Sequence, residues 1–433
     1  MCGIAGIARR GDAPVSTAVL DRMAAALHHR GPDGRGTYAD GHIGFAHTRL
    51  SIIDVEGGAQ PMGDEDGSHV VVFNGEIFNH RGLRHELELR GHVFRTRSDT
   101  EVLVHGYDEW GAGLLDRLNG QFAFAIYDRR RQSVFLARDR FGILPLFYAE
   151  RDGDLYFGSE IKALFATGEV DRAADPAGLD QVFTFWAARP PRTTFRAVRA
   201  LEPGCCALWR EGRLAQRRYY AVDYSDVQPE GLDALRDLDG TMRAAVWTRL
   251  VADVPVGAYL SGGIDSSAVC AVASAASLHS LRTFSVTFDD PRFDESAYQQ
   301  TVADALATQH AVQRIGGAEI ARVFPDVVRH AETPLLRTAP APLYLLSQLT
   351  REKGITVVLS GEGADEVFLG YDLFKEAAVR QFCARQPGSA TRPRLFDRLY
   401  PYLATPGRGN DFWRGFFLSA GAPDDPLFSH LPR

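Results

Sequence analysis

The pattern of predicted secondary structure changes once along the chain, near residue 235, and this change constrains the fold most strongly. Before it, short β-rich runs alternate with Gly- and Asp-rich turns, with a few helical patterns between them. That mixture is typical of a layered α+β domain. After it, strands alternate with helices, which predicts a parallel sheet with helices on its faces. At 433 residues the chain is also too long for one ordinary domain.

We therefore expect a first domain over residues 1–220, a polar and acidic linker over 221–234, and a second domain over 235–433. Strands are predicted over Val70–Asn74, Phe122–Asp128, Ser133–Asp139, Leu155–Ser159, Val254–Leu260, Thr283–Phe288 and Thr356–Leu359. Helices are predicted over Ala18–His29, Arg84–Arg90, Leu235–Leu250, Ser267–Ala276, Tyr298–Leu306 and Pro340–Lys353.

Composition argues against several classes of protein. Hydrophobic residues make up 45% and charged residues 24%, the balance of a globular protein. A net charge of −7 gives no reason to expect a nucleic-acid partner. No apolar stretch reaches the ~18 residues of a membrane span. The 5 cysteines show no metal-ligand spacing, and an odd number argues against a disulfide framework, so we expect a cytoplasmic protein.

Cys2 is a candidate nucleophile. Removal of Met1 would leave Cys2 with a free α-amine, which titrates near about 7.7–8.0 and can act as the base for the thiol of the same residue. Considered alone, a cysteine at this position is more often a chance residue at a chain end. The hypothesis therefore depends on what other segments supply.

Three other segments together fit glutamine as the ligand. Arg49 can bind an α-carboxylate through a bidentate fork. Glu76 and Asp99 can bind the α-ammonium group. The Asn74 side chain and the Gly75 backbone N–H can donate to a tetrahedral oxyanion. Each of these residues is, by itself, more often a surface arginine, a turn or a helix cap, but their combination predicts hydrolysis of a side-chain amide.

A glycine-rich run, Ser261–Ser267, lies between a predicted strand and a predicted helix. Glycines let the backbone approach a phosphate closely, and a helix N-terminus presents free N–H groups to it. The run is not a Walker loop, because the terminal Gly-Lys-Ser/Thr is absent, and it is not the dinucleotide fingerprint. It therefore predicts a different kind of pyrophosphate-binding loop.

A second run, Leu359–Glu366, is acidic and follows another predicted strand. Parallel sheets bind ligands at the carboxyl ends of their strands, where both runs are expected. Asp265 and Asp365 are the natural candidates for Mg²⁺ ligands beside ATP. Glu362 could assist formation of an acyl-adenylate or the attack of ammonia on it, or it could be a solvated loop acid.

Several motifs resemble those of a known family. Met1–Gly6, His29–Asp33, Asn74–His80 and Arg138–Gly142 resemble class II glutamine amidotransferases, in particular the glutaminase domain of bacterial asparagine synthetases. The two runs of the second half resemble the ATP-pyrophosphatase domain of the same family. The resemblance implies a four-layer αββα domain of the N-terminal-nucleophile type, followed by an α/β domain with a parallel sheet and a pyrophosphate loop.

The resemblance also implies roles for particular residues. The catalytic residues would be Cys2, Asn74, Gly75 and Glu362. Glutamine would bind to Arg49, Leu50, Ser51, Ile52, Ile53, Asn74, Gly75, Glu76 and Asp99. ATP would bind to Leu260, Ser261, Gly262, Gly263, Asp265, Ser266, Val286, Ser360 and Gly361, and Mg²⁺ to Asp265 and Asp365.

The activity that the resemblance implies is glutamine-dependent asparagine synthesis. Cys2 would hydrolyse glutamine to glutamate and ammonia, ATP would adenylate the aspartate side chain, and ammonia would displace AMP. Glutamine, aspartate and ATP are the expected partners, and the resemblance is compatible with a homodimer. An amide synthetase for another carboxylic acid, and a truncated chain with glutaminase activity only, stay open as alternatives.

The sequence departs from the family pattern at identifiable places. Leu144 stands where the family usually has Lys, and Thr287 where it usually has Gly. Leu369 replaces the first Gly of Phe-Gly-Gly-Tyr. The sequence ends at Arg433 without the Arg-x-Pro-Phe-Leu-Asp motif, so we expect the second domain to be incomplete at its C-terminus.

Overall fold

The computed structural model describes residues 1–223, 225, 232–277 and 279–399. The linker predicted over 221–234 and the end of the predicted second domain lie partly outside these residues. The chain divides into two compact units. The larger unit comprises Met1–Gly262 and Val269–Leu359, and the smaller unit comprises Gly263–Ala268 with the described residues from Ser360 onward.

The described strands and helices alternate as follows. The strands are β1 Gly3–Ala8, β2 Gly34–Asp40, β3 Ile43–Arg49, β4 Met62–Gly63, β5 His69–Ile77, β6 Gly120–Asp128, β7 Ser133–Arg138, β8 Phe147–Arg151, β9 Asp154–Gly158, β10 Arg199–Ala200, β11 Cys205–Arg210, β12 Arg213–Arg218, β13 Val256–Tyr259, β14 Arg282–Phe288, β15 Gln309–Ile315 and β16 Val357–Leu359. The helices are α1 Thr17–Ala26, α2 His80–Leu89, α3 Glu101–Trp110, α4 Leu114–Arg117, α5 Ile161–Phe165, α6 Pro176–Phe185, α7 Leu232–Arg249, α8 Ile264–Ala276, α9 Ser296–Ala305, α10 Gly317–Ala331, α11 Pro340–Glu352, α12 Ala364–Phe368 and α13 Asp372–Ala384.

The first half of the chain forms two six-stranded sheets, in the orders β10-β8-β9-β1-β3-β2 and β12-β11-β7-β6-β5-β4. Neighbouring strands in both sheets are antiparallel. A core containing Ile4 and Phe45 of the first sheet with Val72 and Trp209 of the second shows that the sheets pack face to face. This core buries Ile4 and Ala8 of β1, an uninterrupted apolar run that is buried along its whole length, while Ala5 and Ile7 are buried in a second core.

Two further cores cover the outer faces of these sheets. Leu20 of α1 and Leu164 of α5 pack with β1 residues on the first sheet. Leu83 of α2 and Leu103 of α3 pack with Phe73 on the second sheet. The result is a helix–sheet–sheet–helix sandwich, so the predicted four-layer αββα fold is confirmed.

The larger unit also contains a four-stranded sheet in the order β15-β14-β13-β16. Its pairings are parallel, as predicted. Ala258 and Leu260 pack against Cys270 of α8, whereas Phe284 packs against Leu346 of α11 in a separate core. The predicted parallel sheet covered by helices is therefore confirmed.

The sequence-based boundaries differ from the structure in a few places. α8 begins at Ile264, before the predicted start at Ser267, and α7 begins at Leu232, inside the segment predicted as linker. Neither β15 nor α10 is predicted from the sequence. Pro325 lies inside α10 and reads as a helix breaker, but α10 is strongly amphipathic, so its packing against the core around Val323 outweighs that local preference.

The smaller unit is helical. α13 carries a buried ion pair between Glu376 and Arg380, one turn apart, with an N–O distance of 2.7 Å. Cys383 of the same helix packs with Phe396 in a small core. Across the residues that the structure describes, no helix combines the length and the apolarity that a membrane crossing needs.

Candidate active site

Cys2 lies immediately before β1, and pairing of β1 with β3 brings it next to the segment that follows Arg49. The Leu50 backbone N–H donates to Cys2 Sγ at 3.4 Å. Burial raises the pKa of the Cys2 thiol, so the thiol needs a base to become a nucleophile at neutral pH. Burial lowers the pKa of the adjacent α-amine, that of Met1, to about 6. This direction applies to the amine of Met1; the α-amine of Cys2, the predicted base, is free only once Met1 has been removed.

A cavity of about 50 Å³ adjoins the cysteine. The residues predicted for glutamine meet here with others that were not predicted. The lining consists of Met1, Cys2, Arg49, Leu50, Ile52, Ile53, Gly58, Gln60, Phe73, Gly75, Glu76, Ser98, Asp99, Thr100 and Gln121. Ser51 and Asn74, which are also predicted, do not line this cavity, although Phe73 and Gly75 on either side of Asn74 do. The Ser51 N–H donates to Asp33 at 2.9 Å.

Asn74, next to this cavity, is a buried polar residue with unsatisfied hydrogen-bonding atoms. It lies in β5 and is 0% exposed, and neither its amide nitrogen nor its amide oxygen has a hydrogen-bond partner among the described residues. A buried amide without partners destabilises a free protein, so such a group indicates a site that is completed by a ligand. An amide N–H held in this way is ready to donate to an oxyanion.

Gly75 must be glycine for steric reasons. A Cβ atom at this position would lie 2.2 Å from the backbone oxygen of Gln121 in β6, and the backbone φ is +153°. The close approach of β5 and β6 thus leaves no space for a side chain between Asn74 and Glu76.

Two buried carboxylates, those of Glu76 and Asp99, line the cavity. Burial, and then the charge of Asp99, raise the pKa of Glu76 to about 8. Burial also raises the pKa of Asp99, although the Ile77 N–H donates to its carboxylate at 2.9 Å. Burial is the larger cause of both shifts, and an ammonium group bound near the two carboxylates would favour their ionised forms.

Arg49 lines the cavity while its guanidinium also orders the loop that follows it. Its Nη1 donates to the Val55 carbonyl at 2.8 Å, and its Nη2 donates to the carbonyls of Ile53 and Asp54. The loop therefore holds the one cation among the predicted glutamine ligands. The role of Arg49 as the carboxylate ligand stays a prediction.

The predicted ATP residues of the larger unit follow β13 and lie in β14. The N–H of Leu260 donates to the Phe284 carbonyl at 2.9 Å, and the Ser285 hydroxyl donates to the Leu260 carbonyl. Gly262 has a φ of +86°, and a Cβ atom there would lie 2.8 Å from Tyr298. Val286, in β14, is half-buried, and its carbonyl accepts a hydrogen bond from Gln299.

The predicted residues of the smaller unit lie around the first turn of α8 and the loop before α12. The hydroxyls of Ser266 and Ser267 donate to the Gly263 carbonyl, at 3.2 and 2.6 Å. A Cβ atom at Gly361 would lie 2.8 Å from the backbone nitrogen of Ser266 and would also meet Asp265. Glycine at position 361 thus lets the two predicted loops approach each other at their backbones.

The two predicted metal ligands both belong to the smaller unit. Asp265 lies in the first turn of α8, and Asp365 lies in the first turn of α12. A Cβ atom at Gly370 would lie 2.0 Å from Asp365 Oδ1, so glycine leaves room for this carboxylate. Glu362 is exposed.

One other cluster has the composition of a metal site. His29, Glu160 and His330 hold their ligand atoms within 4.8 Å of one another, in the larger unit. Arg30 and Lys162 both form ion pairs with Glu160, however, so its charge is already balanced by two cations. This cluster does not include either predicted Mg²⁺ ligand.

The structure adds residues to the site that the sequence did not identify. Gln60 fixes the wall of the cavity, because its amide oxygen accepts the N–H of Phe73 at 2.6 Å and its amide nitrogen donates to Thr100. Arg30 donates to the carbonyl of Cys2 at 3.0 Å. Arg30 belongs to the run His29–Asp33 that carries the family resemblance, so this run was the available signal.

The αββα sandwich, with Cys2 immediately before its strand β1, fits a glutamine amidotransferase of the N-terminal-nucleophile class. Family models agree: residues 1–220 match the glutamine amidotransferase domain, and residues 237–417 match asparagine synthase. The chain belongs to the family of glutamine-hydrolysing asparagine synthetases.

Individual relatives support this membership. The chain is 37% identical to asparagine synthetase [glutamine-hydrolyzing] 1 of Bacillus subtilis, over 87% of this chain and 60% of that protein. It is 34% identical to asparagine synthetase [glutamine-hydrolyzing] 3 of the same organism, over 88% and 64%. A putative asparagine synthetase [glutamine-hydrolyzing] 2 of Methanocaldococcus jannaschii is 32% identical, over 86% and 76%. The chain thus spans less than two thirds of the length of the two Bacillus relatives.

Proposed function

We propose that this chain hydrolyses glutamine at Cys2 and uses the ammonia, with ATP, to convert aspartate to asparagine. The observation that carries the proposal is the buried, unpartnered amide of Asn74 beside a cavity that Cys2, Glu76 and Asp99 line. The names of the relatives support asparagine as the product and glutamine as the nitrogen donor.

In the glutaminase reaction, Met1 is first removed, which both frees the α-amine of Cys2 and enlarges the cavity that Met1 lines. The amine accepts the thiol proton, and the thiolate attacks the side-chain amide carbon of glutamine. Asn74 and the N–H of Gly75 donate to the oxyanion. The amine returns its proton to the departing ammonia, and water then hydrolyses the thioester to release glutamate.

In this proposal, the α-ammonium group and the α-carboxylate of glutamine are both bound. Its ammonium group binds between Glu76 and Asp99, whose raised pKa values fall when a cation arrives. Its carboxylate binds Arg49, which the loop carbonyls already orient. Leu50, Ile52 and Ile53 form part of the remaining wall.

In the synthetase reaction, ATP activates the acceptor carboxylate as an acyl-adenylate, pyrophosphate leaves, and ammonia displaces AMP. We assign ATP to the residues that follow β13 and lie in β14, together with the loops around Gly263 and Gly361. The carboxylates of Asp265 and Asp365 are hard oxygen donors of the kind Mg²⁺ prefers, and bound Mg²⁺ would neutralise phosphate charge. Glu362 is assigned to the acyl-adenylate step.

A cytoplasmic location and a homodimer are part of the same proposal. The cysteines at positions 2, 205, 206, 270 and 383 are all free thiols, which suits a reducing compartment. Nucleic acid and membrane are not proposed as partners.

Isotope labelling tests the proposal. The chain is incubated with amide-¹⁵N glutamine, ATP, Mg²⁺ and aspartate, and glutamate, AMP and asparagine are quantified by mass spectrometry. We expect ¹⁵N in the asparagine side chain and one AMP per asparagine. Parallel reactions with other carboxylic acids test the alternative that the chain is an amide synthetase for a different acid. AMP formation that does not depend on aspartate would contradict aspartate as the acceptor. Glutamate without AMP would indicate glutaminase activity alone.

A further inference from the structure

The loop that follows Arg49 is held by one residue from the second half of the chain. We call residues 50–58 the glutamine loop. The N–H of Asp54 donates to Asp253 Oδ2 at 2.7 Å, and the N–H of Asp253 donates to the Ile52 carbonyl at 2.9 Å. Asp253 lies between α7 and β13, 199 positions along the chain from Asp54. Both partners belong to the larger unit.

Asp54 is the residue on which the glutamine loop depends. Its carbonyl accepts from Arg49 Nη2 at 2.5 Å and from the N–H of Gly58 at 2.9 Å. Its carboxylate accepts the N–H of Gly57 at 3.0 Å and the N–H of Arg97 at 2.8 Å. The position of Asp54 thus fixes the cation for one end of glutamine and the segment that leads to Asp99 at the other end.

The backbone of Asp54 is in an unfavourable conformation. Its φ is +50°, in the left-handed region that an L-residue enters at a cost. Such a conformation persists only where surrounding contacts enforce it. The two hydrogen bonds to Asp253 provide contacts of this kind, because one of them ends on the N–H of Asp54 itself.

The residue at the start of the segment between α7 and β13 also lies near the residues predicted to bind glutamine. Arg249, the last residue of α7, lies 4.4 Å from the ring centroid of Phe78. Burial and the charge of Asp99 raise the pKa of Glu76, and the positive charge of Arg249 lowers it. The segment 249–253 therefore contacts two segments that border the glutamine site, at Phe78 and at the glutamine loop.

We propose that Asp253 is a positioning residue for glutamine: it holds Asp54, and through Asp54 it aligns Arg49 with the carboxylate and the Ser98–Asp99 segment with the ammonium group. This inference rests on the proposed glutaminase function. Asp253 does not touch Cys2 or Asn74, so its role concerns binding of the substrate and not the chemical steps. It also links the glutamine loop to β13, the strand that leads to Leu260 and Gly262.

Steady-state glutaminase kinetics of the full chain test the role of Asp253. We expect Asp253→Ala to raise KM for glutamine about fivefold with kcat within about twofold, because one solvent-exposed hydrogen bond is lost. Asp253→Asn keeps an acceptor oxygen and should restore KM. The matched control is Asp239→Ala, which removes an exposed acid of α7 that pairs with Arg243 one turn away. It should leave both constants unchanged.

Hydrogen–deuterium exchange measures the contact without any catalysis. Peptides covering the glutamine loop should exchange faster in Asp253→Ala than in the wild-type chain, Asp253→Asn or Asp239→Ala, while peptides of β5 stay protected. Equal exchange in all four proteins would overturn the proposal, and so would an Asp253→Ala variant whose kcat falls while KM does not change. If the wild-type chain hydrolyses no glutamine, the proposed function fails, and the exchange comparison still decides whether Asp253 holds the loop.

Discussion

Replacement of Asn74 by leucine should make the free protein more stable and the enzyme far slower. The two polar atoms of the Asn74 amide are buried without hydrogen-bond partners among the described residues, in a residue that is 0% exposed. Leucine has a similar size and no polar atoms, so Asn74→Leu removes a desolvation penalty of about 1–3 kcal/mol. In a domain of this size, that gain corresponds to a rise in Tm of at least about 2 °C.

The same substitution removes a donor to the oxyanion. Loss of one such donor typically raises the barrier by about 2.7–4 kcal/mol, so kcat for glutamine hydrolysis should fall about 10²–10³-fold. KM should change little, because the ground-state carbonyl makes weaker use of this donor than the oxyanion does.

Thermal unfolding and a glutamate-release assay measure the two effects on the same preparation. Asn79→Leu is the matched control, since the Asn79 side chain donates to the Arg117 carbonyl and accepts the N–H of Asn119, both at 2.9 Å. That variant should lose stability. A loss of stability in Asn74→Leu equal to that of Asn79→Leu would refute the reasoning, because Asn74 would then be a structural residue.

Four further outcomes are expected. Because ionised Glu76 pairs with the glutamine ammonium, kcat/KM for glutamine should rise with pH through about 8, and Glu76→Gln should remove this component of the pH–rate profile. The raised pKa also means that the contribution of Glu76 to stability is lost as pH rises towards 8. The Tm of the wild type minus the Tm of Glu76→Gln should therefore fall as the pH is raised towards 8. Gly361→Ala should reduce pyrophosphate release at least about tenfold and leave glutaminase activity intact, since the new Cβ would lie 2.8 Å from the Ser266 nitrogen; equal losses in both assays would contradict this. Leu369→Gly should raise the free energy of unfolding in urea by about 0.5–1 kcal/mol, because Leu369 is 58% exposed and has a φ of +57°, and an unchanged midpoint would count against strain there.

Short segments carried most of what could be predicted from the sequence. The order of strands and helices was sufficient to predict both kinds of sheet, because their periodicities differ. Glutamine hydrolysis needs a nucleophile, an oxyanion donor and acids for the ammonium group, and particular residue types meet each need. This reasoning predicts Cys2, Asn74, Glu76 and Asp99, which lie at strand or helix ends. Their meeting near one cavity then follows from the pairing of β1 with β3 and of β5 with β6.

The tertiary structure alone decided the contacts on which the glutamine site depends. Nothing near Asp253 in the sequence indicates that its carboxylate receives the N–H of Asp54, because hydrogen bonds between backbone and side chain leave no pattern at such a separation. The left-handed backbone of Asp54 and the empty hydrogen-bonding capacity of Asn74 are likewise properties of packing. Residue type therefore determined which chemistry is present, and the packing of distant segments determined how its groups are held.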